Sequence, residues 1–185
     1  MLIGLTGRNG AGKGEVAAFF KKKGFRFYSL SDVIRDEIRK RGEAVTRGQL
    51  VETGNRLRAE FGHDVLARRV RDRLDGTDNC VIDSIRLPEE VEALRTLPGF
   101  LMLSVEAEPE IRYQRVLQRG RESDPQTLEE FLELEGLELA KPGSGRQQLA
   151  ETAKKADHRV PNNGTIEELH RRLELFLGQR EAHQR

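Results

Sequence analysis

Cysteine is nearly absent from this sequence, since Cys80 is the only one among 185 residues. A single thiol excludes an intramolecular disulfide framework and a cysteine-ligated zinc cluster. The four histidines are scattered and lack the regular spacing of metal ligands. These shortages are typical of a protein from a reducing compartment, and we expect a cytoplasmic location.

Long apolar runs and an excess of one charge are also missing. The longest apolar run, Phe100–Val105, is far too short to span a bilayer, so we expect no membrane partner. The formal net charge is only +1, although 34% of the residues are charged. This balance argues against a nucleic-acid partner and favours helices with many ion pairs. The sequence shows no internal repeat and no low-complexity tract, and we expect no targeting segment.

Short apolar segments alternate along the chain with longer segments of helical periodicity. The apolar segments are Leu2–Leu5, Phe25–Leu30, Cys80–Ile82, Leu101–Val105 and Arg159–Val160. This alternation predicts an α/β fold with a five-stranded parallel sheet and helices on both faces. Right-handed crossovers then place the loops that follow the strands at one edge of the sheet. At this length we expect one domain over residues 1–178 and a polar tail at 179–185.

A glycine-rich loop separates the first apolar segment from a helical segment. The loop reads Gly7, Arg8, Asn9, Gly10, Ala11, Gly12, Lys13 and Gly14. Its glycines let backbone N–H groups surround an anion, the following helix adds partial positive charge, and Lys13 can reach terminal phosphates. This pattern predicts a phosphate-binding P-loop. The alternatives are a chance glycine turn and a dinucleotide-binding turn, for which Asp32 lies near the required distance although the glycine spacing does not match.

The last position of the P-loop motif normally carries Ser or Thr, but this sequence has Gly14 there. Nucleotide oxygens, water and acids elsewhere must therefore hold Mg²⁺. Asp83 follows an apolar strand segment, which is the pattern of an acid that faces a P-loop and orients the metal and its water. Glu15, in the first turn of the following helix, can take over part of the missing hydroxyl's task through water. Its alternative role is an interaction with the helix dipole.

Several arginines lie in the segments that follow the strands. Ser31 is a candidate N-cap, and Asp32 lies in the first turn of the next helix. Arg35, one turn into that helix, can point its guanidinium back toward the ligand edge and bind a phosphate bidentately.

Residues 48–74 have helical periodicity. The expected buried stripe in their first half consists of Leu50, Val51, Leu57 and Phe61. The arginines of this segment are expected to face water for the most part. A solvated face is one interpretation of the later run Arg112, Arg115, Arg119 and Arg121, since runs of charge usually face water.

The glycine-rich loop Gly7–Gly14 resembles that of the adenylate kinases, which also carry Gly-Lys-Gly. The segment Ser31-Asp32-Val33-Ile34-Arg35 is similar to their G-D-x-x-R, whose arginine contacts the phosphate of the acceptor. Arg86, three residues after Asp83, stands where those kinases carry the arginine of D-G-F-P-R. The resemblance implies an acceptor site that includes Ser31, Asp32, Arg35 and Arg86.

Two further segments are similar to monophosphate kinases. Residues 54–65 resemble the acceptor-binding part of phage deoxynucleoside monophosphate kinases, which implies that Arg58 and Arg68 help to hold the acceptor. The acceptor-binding region would cover about 31–75. Arg115 and Arg119 resemble the R-x-x-x-R of a lid, which implies that they and Arg121 close over the transferred phosphoryl from a lid at about 115–140.

The end of the chain is similar to dephospho-CoA kinases. Asn162-Asn163-Gly164-Thr165 resembles their N-N-G-T/S, which lies against the donor adenine, and implies that Asn162, Asn163 and Gly164 bind ATP. Ile3-Gly4-Leu5-Thr6-Gly7 is similar to their I-G-L-T-G opening. Two departures are the replacement of their D-A-D by Ser29-Leu30-Ser31 and of the Ser or Thr after the P-loop lysine by Gly14.

The chain as a whole resembles the adenylate kinase and dephospho-CoA kinase superfamily, above all a group with G-K-G-E, I-D-x-I-R and a late N-x-G-T-x-E-E. The resemblance implies a three-layer α/β/α P-loop NTPase fold with ATP and Mg²⁺. We expect transfer of the ATP γ-phosphoryl to a (deoxy)nucleoside monophosphate by a monomer or homodimer. The expected catalytic residues are Lys13, Asp83, Arg86, Arg115, Arg119 and Arg121. A dephospho-CoA kinase-like enzyme and a slow ATP-binding regulatory module are the alternatives.

Overall fold

The computed structural model describes residues 1–76, 79–120, 125–140 and 148–183. Within these ranges, five parallel strands form one sheet in the order β2-β3-β1-β4-β5. The strands are β1 Leu2–Thr6, β2 Arg26–Ser29, β3 Cys80–Asp83, β4 Phe100–Glu106 and β5 His158–Pro161. The predicted five-stranded parallel sheet is therefore confirmed.

Helices connect the strands and cover both faces of the sheet. They are α1 Lys13–Lys22, α2 Leu30–Lys40, α3 Arg47–Phe61, α4 Val65–Arg71, α5 Pro88–Arg95, α6 Pro109–Arg119, α7 Leu128–Ala140, α8 Leu149–Lys154 and α9 Ile166–His183. No helix of the described ranges combines the length and the apolar character needed to cross a bilayer.

Two hydrophobic cores lie on opposite faces of the sheet, because neighbouring residues of a strand point to opposite sides. On one face, Ile3 and Val81 pack with Phe20 of α1 and Leu173 of α9. On the other face, Ile82 belongs to a core built with α2, α4 and α5. The predicted three-layer α/β/α arrangement is therefore confirmed.

Two local predictions in the helices following β2 are wrong. Ser29, and not Ser31, is the N-cap of α2, because the helix begins directly after the strand and the Ser29 side chain accepts a hydrogen bond from the Ser31 backbone N–H. In α3, Val51 and Phe61 are 43% and 44% exposed, whereas Leu57 is buried together with the polar Thr53. Burial follows the phase of the helix, and the i, i+4 pair Thr53 and Leu57 shares the inward face.

The carboxyl ends of all five strands meet at one edge of the sheet. In register, Ser29 of β2 pairs with Asp83 of β3, and Glu106 of β4 pairs with Pro161 of β5. The loop after β1 begins at Gly7, between these two pairs of strand ends. Residues that are far apart in sequence therefore reach the loop from both sides.

Candidate active site

The loop at Gly7–Gly14 connects β1 to α1 in a conformation that only glycine allows at its key positions. Gly7 has φ +146° and Gly12 has φ +99°. A Cβ atom on Gly7 would lie 2.3 Å from the Val105 carbonyl oxygen, and one on Gly12 would lie 2.2 Å from Nδ2 of Asn162. Neighbouring strands thus hold this loop against the end of the sheet.

Lys13 is the first residue of α1, and its side chain folds back over the loop. Its Nζ donates to the carbonyl oxygens of Gly7 at 2.7 Å and Arg8 at 3.2 Å. Burial lowers the pKa of Lys13 to about 8; the Asp83 charge opposes this shift, and the charges of Arg86 and Arg112 add to it. Lys13, Asp83 and Arg86 therefore share one electrostatic environment although 70 residues separate the first two in sequence.

Asp83, at the end of β3, presents a carboxylate oxygen without a partner. Its Oδ1 is buried and has no hydrogen-bond partner among the described residues, while its Oδ2 accepts from the Ser84 hydroxyl at 3.4 Å. Ser84 accepts in turn from the Ser29 hydroxyl at 3.2 Å and has φ +67°, which is unusual for a residue with a side chain. The turn after β3 thus leads the chain away from Asp83. One oxygen of this aspartate therefore stays available to a ligand.

The residues around Asp83 fit a magnesium ion that is held mainly by nucleotide and water. Mg²⁺ prefers oxygen ligands and usually takes only one or two carboxylates from the protein. No group of three or more metal-binding side chains occurs in the part of the chain that the structure describes. Gly14 is exposed, and a Cβ there would meet no atom within 4 Å, so packing does not explain the missing hydroxyl. Glu15 next to it is exposed.

The predicted adenine-binding residues at the end of β5 hold the loop from the other side. Asn162 is buried, and its Nδ2 donates to the Ala11 carbonyl oxygen at 2.8 Å. Asn163 accepts from the backbone N–H of Glu108 at 2.9 Å, and Gly164 follows in the turn before α9. Both asparagine side chains are therefore engaged with the protein, and Asn162 fixes the P-loop itself.

Two of the arginines predicted for the lid reach the loop from α6. Nη2 of Arg115 lies 3.5 Å from Oδ1 of Asn162, and its Nη1 is buried without a hydrogen-bond partner among the described residues. Nη1 of Arg115 is also 3.8 Å from the Cβ position of Gly12. Arg119 donates to Oδ1 of Asn9 at 3.2 Å. Arg121, the third predicted lid arginine, lies outside the described residues.

A solvated face was one interpretation of Arg112, and the structure contradicts it. Arg112 is 1% exposed, and it donates to the carbonyl oxygens of Ala107 at 3.0 Å and Asn9 at 3.3 Å. Two of its nitrogens also bind the carboxylate of Glu135 on α7, which accepts from Arg8 at 3.3 Å as well. The i, i+4 spacing from the buried Val116 is the pattern in the sequence that places Arg112 on the inward face.

Five of the six predicted acceptor residues lie on α2, α3 and α4, and Arg86 lies in the turn between β3 and α5. Arg35 forms an ion pair with Asp32 at 2.8 Å and is 36% exposed. Arg68 forms an ion pair with Asp64 at 3.0 Å and donates to the carbonyl oxygen of Phe61, so it holds the junction between α3 and α4. Arg35 is held only by its own helix, since Asp32 lies one turn earlier on α2, whereas Arg68 also contacts the end of α3.

An open cavity of about 410 Å³ lies beside α2 at the end of β2. Its lining includes Ser29 and Asp32 together with the more remote Asp36, Arg39 and Arg73. Lys13 and Asp83 lie outside this lining. The cavity is therefore space next to the predicted acceptor residues and not the loop that would hold a donor nucleotide.

Glu90 is a residue of this region that the sequence analysis missed. It is fully buried on α5, and its carboxylate accepts from the backbone N–H groups of Arg86 at 2.8 Å and Leu87 at 3.1 Å and from Arg58 at 2.9 Å. Arg58, a predicted acceptor ligand, is thus turned toward a buried acid. Pro88 followed two residues later by an acid at the start of a helix is the pattern that could have identified this cap.

Sequence comparisons with known proteins identify the family of this chain. A family model described as AAA domain matches residues 3–135. A UPF0200 protein of Thermococcus kodakarensis is 35% identical over 175 residues, which is 91% of each chain. A UPF0200 protein of Methanothermobacter thermautotrophicus is 37% identical over 180 residues, which is 96% of this chain and 89% of the relative.

Comparisons with solved structures agree on the fold. TT1252 from Thermus thermophilus matches with a TM-score of 0.58 and 26% identity over 97% of both chains. A shikimate kinase from Bacteroides thetaiotaomicron matches with a TM-score of 0.62 and 17% identity over 96% of this chain and 98% of its own. A sugar kinase from Janibacter sp. matches with a TM-score of 0.56 and 18% identity over 96% and 93%. The fold is therefore the P-loop fold that small-molecule kinases also have.

Proposed function

This chain belongs to the UPF0200 family and has an AAA domain over residues 3–135, and from that premise we propose that it is an ATP-dependent phosphotransferase. The proposed acceptor is a (deoxy)nucleoside monophosphate. The observation that carries the proposal is that a P-loop lysine, Lys13, lies within the electrostatic influence of Asp83, whose buried Oδ1 has no hydrogen-bond partner among the described residues. A donor phosphate on the loop and a metal beside the aspartate would satisfy both groups.

The donor side holds ATP by its phosphates. The backbone N–H groups of the loop and the N-terminus of α1 face the phosphate chain, and Lys13 moves from the carbonyl oxygens of Gly7 and Arg8 to the β- and γ-phosphates. Arg115 contributes its buried Nη1, which lies beside Gly12 and has no hydrogen-bond partner in the ranges that the structure describes. Asn162 acts through the loop that it fixes. These charges stabilise a transition state in which negative charge spreads over the phosphoryl oxygens.

Asp83 would hold Mg²⁺ through Oδ1, directly or by a water molecule, with nucleotide oxygens as the other ligands. When bound, the metal would neutralise charge on the phosphates. Glu15 is exposed in the first turn of α1 and can bind one of the metal's water molecules. The acceptor is held by Arg35 and Arg86, and phosphoryl transfer by positioning and electrostatics requires no covalent enzyme intermediate.

A second candidate is a kinase that phosphorylates a small molecule other than a nucleotide. Arg58 and Arg68, two of the predicted acceptor ligands, are paired with Glu90 and Asp64. Solved structures with this fold include a shikimate kinase and a sugar kinase. A dephospho-CoA kinase-like activity belongs to the same class, while a slow ATP-binding module would explain the missing hydroxyl at Gly14 without any acceptor.

A coupled assay of ADP release across an acceptor panel separates these candidates. The panel contains (deoxy)nucleoside monophosphates, dephospho-CoA, shikimate and simple sugars, each with Mg²⁺ and ATP. We expect release to depend strongly on a monophosphate. Release that depends on another member favours the second candidate, and slow release that no acceptor changes favours the module. Calorimetry that detects no binding of MgATP would contradict all three.

A further inference from the structure

Glu90 contacts two parts of the proposed active site, one with each of its carboxylate oxygens. Oε2 accepts from the backbone N–H groups of Arg86 and Leu87, in the turn that follows Asp83. Oε1 accepts from Nη2 of Arg58, on α3 of the predicted acceptor-binding region. One buried side chain therefore joins the aspartate turn to the acceptor helix.

The turn is held from other directions as well. The backbone N–H of Ile85 donates to the carbonyl oxygen of Leu5 on β1 at 3.2 Å. The hydroxyl of the buried Thr152 on α8 donates to the carbonyl oxygen of Arg86 at 2.8 Å. Of the residues that make these contacts, Glu90 is the one that also binds α3. It therefore connects the turn to the acceptor-binding region.

The environment of Glu90 favours a specific and rigid arrangement. Burial raises the pKa of Glu90, while the charge of Arg58 and hydrogen bonds from Arg86, Arg58 and Leu87 oppose that rise. The side chain of Arg58 is only 13% exposed, and its buried Nε has no hydrogen-bond partner in the part of the chain that the structure describes. A buried carboxylate that accepts three hydrogen bonds fixes its partners more narrowly than an exposed ion pair does.

We propose that Glu90 is a positioning residue that fixes the Asp83–Arg86 turn relative to α3, so that the acceptor lies in line with the donor phosphate. The proposal rests on the proposed phosphotransferase function. It assigns Arg58 to the same task, as the partner of Glu90 and not as a ligand of the acceptor. A displacement of about 1 Å at such a site can reduce the rate of reaction about 100-fold.

The two roles can be separated by substitution. In Glu90→Gln, the amide oxygen can still accept from Arg86 and Leu87, whereas the amide nitrogen would face Arg58, so only the link to α3 is lost. We expect the KM for the acceptor to rise about tenfold with kcat within about threefold. Glu90→Ala loses both links, and we expect kcat to fall about 100-fold as well. The Kd for MgATP stays within about twofold in Glu90→Gln, because the turn after Asp83 and the P-loop both keep their contacts.

The matched control is Glu89→Gln on the same helix, since Glu89 is exposed and lies beside His63. Arg58→Met should raise the acceptor KM as Glu90→Gln does, and the double variant should add nothing further. Additive effects would mean that Arg58 binds the acceptor independently and would overturn the proposal. It would also be overturned if Glu90→Gln and Glu90→Ala keep wild-type kinetics, or if the MgATP affinity of Glu90→Gln falls as much as its acceptor affinity.

An NMR measurement of amide exchange keeps this test independent of catalysis. We expect the amides of Arg86 and Leu87 to exchange at least about tenfold faster in Glu90→Ala, with P-loop amides unchanged. Wild-type protein without acceptor-dependent turnover would defeat the proposed function alone, and exchange would then decide whether Glu90 holds the turn. Unchanged exchange in Glu90→Ala defeats the positioning role whatever the activity.

Discussion

The donor side and the acceptor side of the proposed site are built in different ways. The donor side takes most of its phosphate-binding groups from one short loop, Gly7–Gly14, whose backbone geometry follows from its glycines, and Arg115 is added from α6. On the acceptor side, arginines were predicted on three helices and in the turn after β3, and the helical ones are paired with acids, as Arg35 is with Asp32 and Arg58 is with Glu90. The geometry of a glycine-rich loop is thus set by its own residues. The role of an arginine depends instead on which acid lies next to it in the folded protein.

Removal of the loop lysine breaks the donor side and should have the largest effect. Loss of one charge-stabilising donor costs about 10² to 10³ in rate, so we expect Lys13→Ala to reduce acceptor-dependent ADP release by at least that factor. Lys22→Ala, at the exposed end of the same helix, is the control and should leave the rate unchanged. Turnover of Lys13→Ala within a few-fold of wild type would exclude Lys13 from the mechanism.

A substitution of Arg112 tests how much its buried ion pair with Glu135, next to the P-loop, contributes to stability. Arg112→Met leaves the carboxylate of Glu135 without its buried partner, and we expect the free energy of unfolding to fall by about 3 kcal/mol in urea denaturation. Lys155→Met is the control, because its pair with Glu92 is exposed and should contribute well under about 1 kcal/mol. Equal losses in the two variants would show that burial does not distinguish these pairs.

Arg35 tests the acceptor side alone. Its pair with Asp32 is partly exposed, so the guanidinium can turn to a phosphate at little cost. A hydrogen bond to a charged group contributes enough that Arg35→Ala should raise the acceptor KM about tenfold or more. The Kd for MgATP should not change in calorimetry. A loss of MgATP affinity without a change in acceptor KM would move Arg35 to the donor side.

The lowered pKa of Lys13, about 8, predicts a proton uptake on the donor side. Since the unfolded lysine binds its proton up to about pH 10.5, the ligand-free protein should gain stability as the pH rises from about 8 to 10.5. A bound phosphate favours the charged lysine and raises the pKa again. MgATP should therefore take up about half a proton at pH 8.

Calorimetry in two buffers of different ionisation enthalpy measures this uptake. At pH 6, where Lys13 is already charged, its contribution should vanish. Lys13→Met provides the control, since it should remove the uptake of this group at pH 8. The same uptake in Lys13→Met as in wild type would assign the proton to another group.

A substitution of Gly14 should have the smallest effect on activity and stability, and it tests whether the metal lies beside this residue. A Cβ at this position meets no atom within 4 Å, so Gly14→Ser is sterically free and adds the missing hydroxyl. We expect a gain of about 0.5 kcal/mol in stability from helix propensity and a lower Mg²⁺ concentration for half-maximal ADP release. Gly14→Ala separates the two, because it gains the propensity without the hydroxyl. An equal Mg²⁺ requirement in both variants would contradict a metal site beside Gly14.

Much of the fold and part of the site follow from patterns that are local in the sequence. The five strands lie where the apolar segments predicted them, within one or two residues. The burial of Arg112 and of Glu90 was missed, because charged side chains are rarely fully buried unless they are paired, and their partners lie far away in the sequence. The N-cap was misplaced from Ser29 to Ser31 because strand β2 and helix α2 meet without a loop.

By itself, the sequence determined the loop and its place at the end of a strand, because glycine conformation and alternating apolar segments act over a few neighbouring residues. Only the tertiary structure decided that Asn162 would hold Ala11, that Glu135 would pair with Arg112, and that Glu90 would bind Arg58. The reason is physical: a buried polar group must find a partner wherever the packed elements supply one, and the separation of that partner along the chain follows from the topology of the sheet.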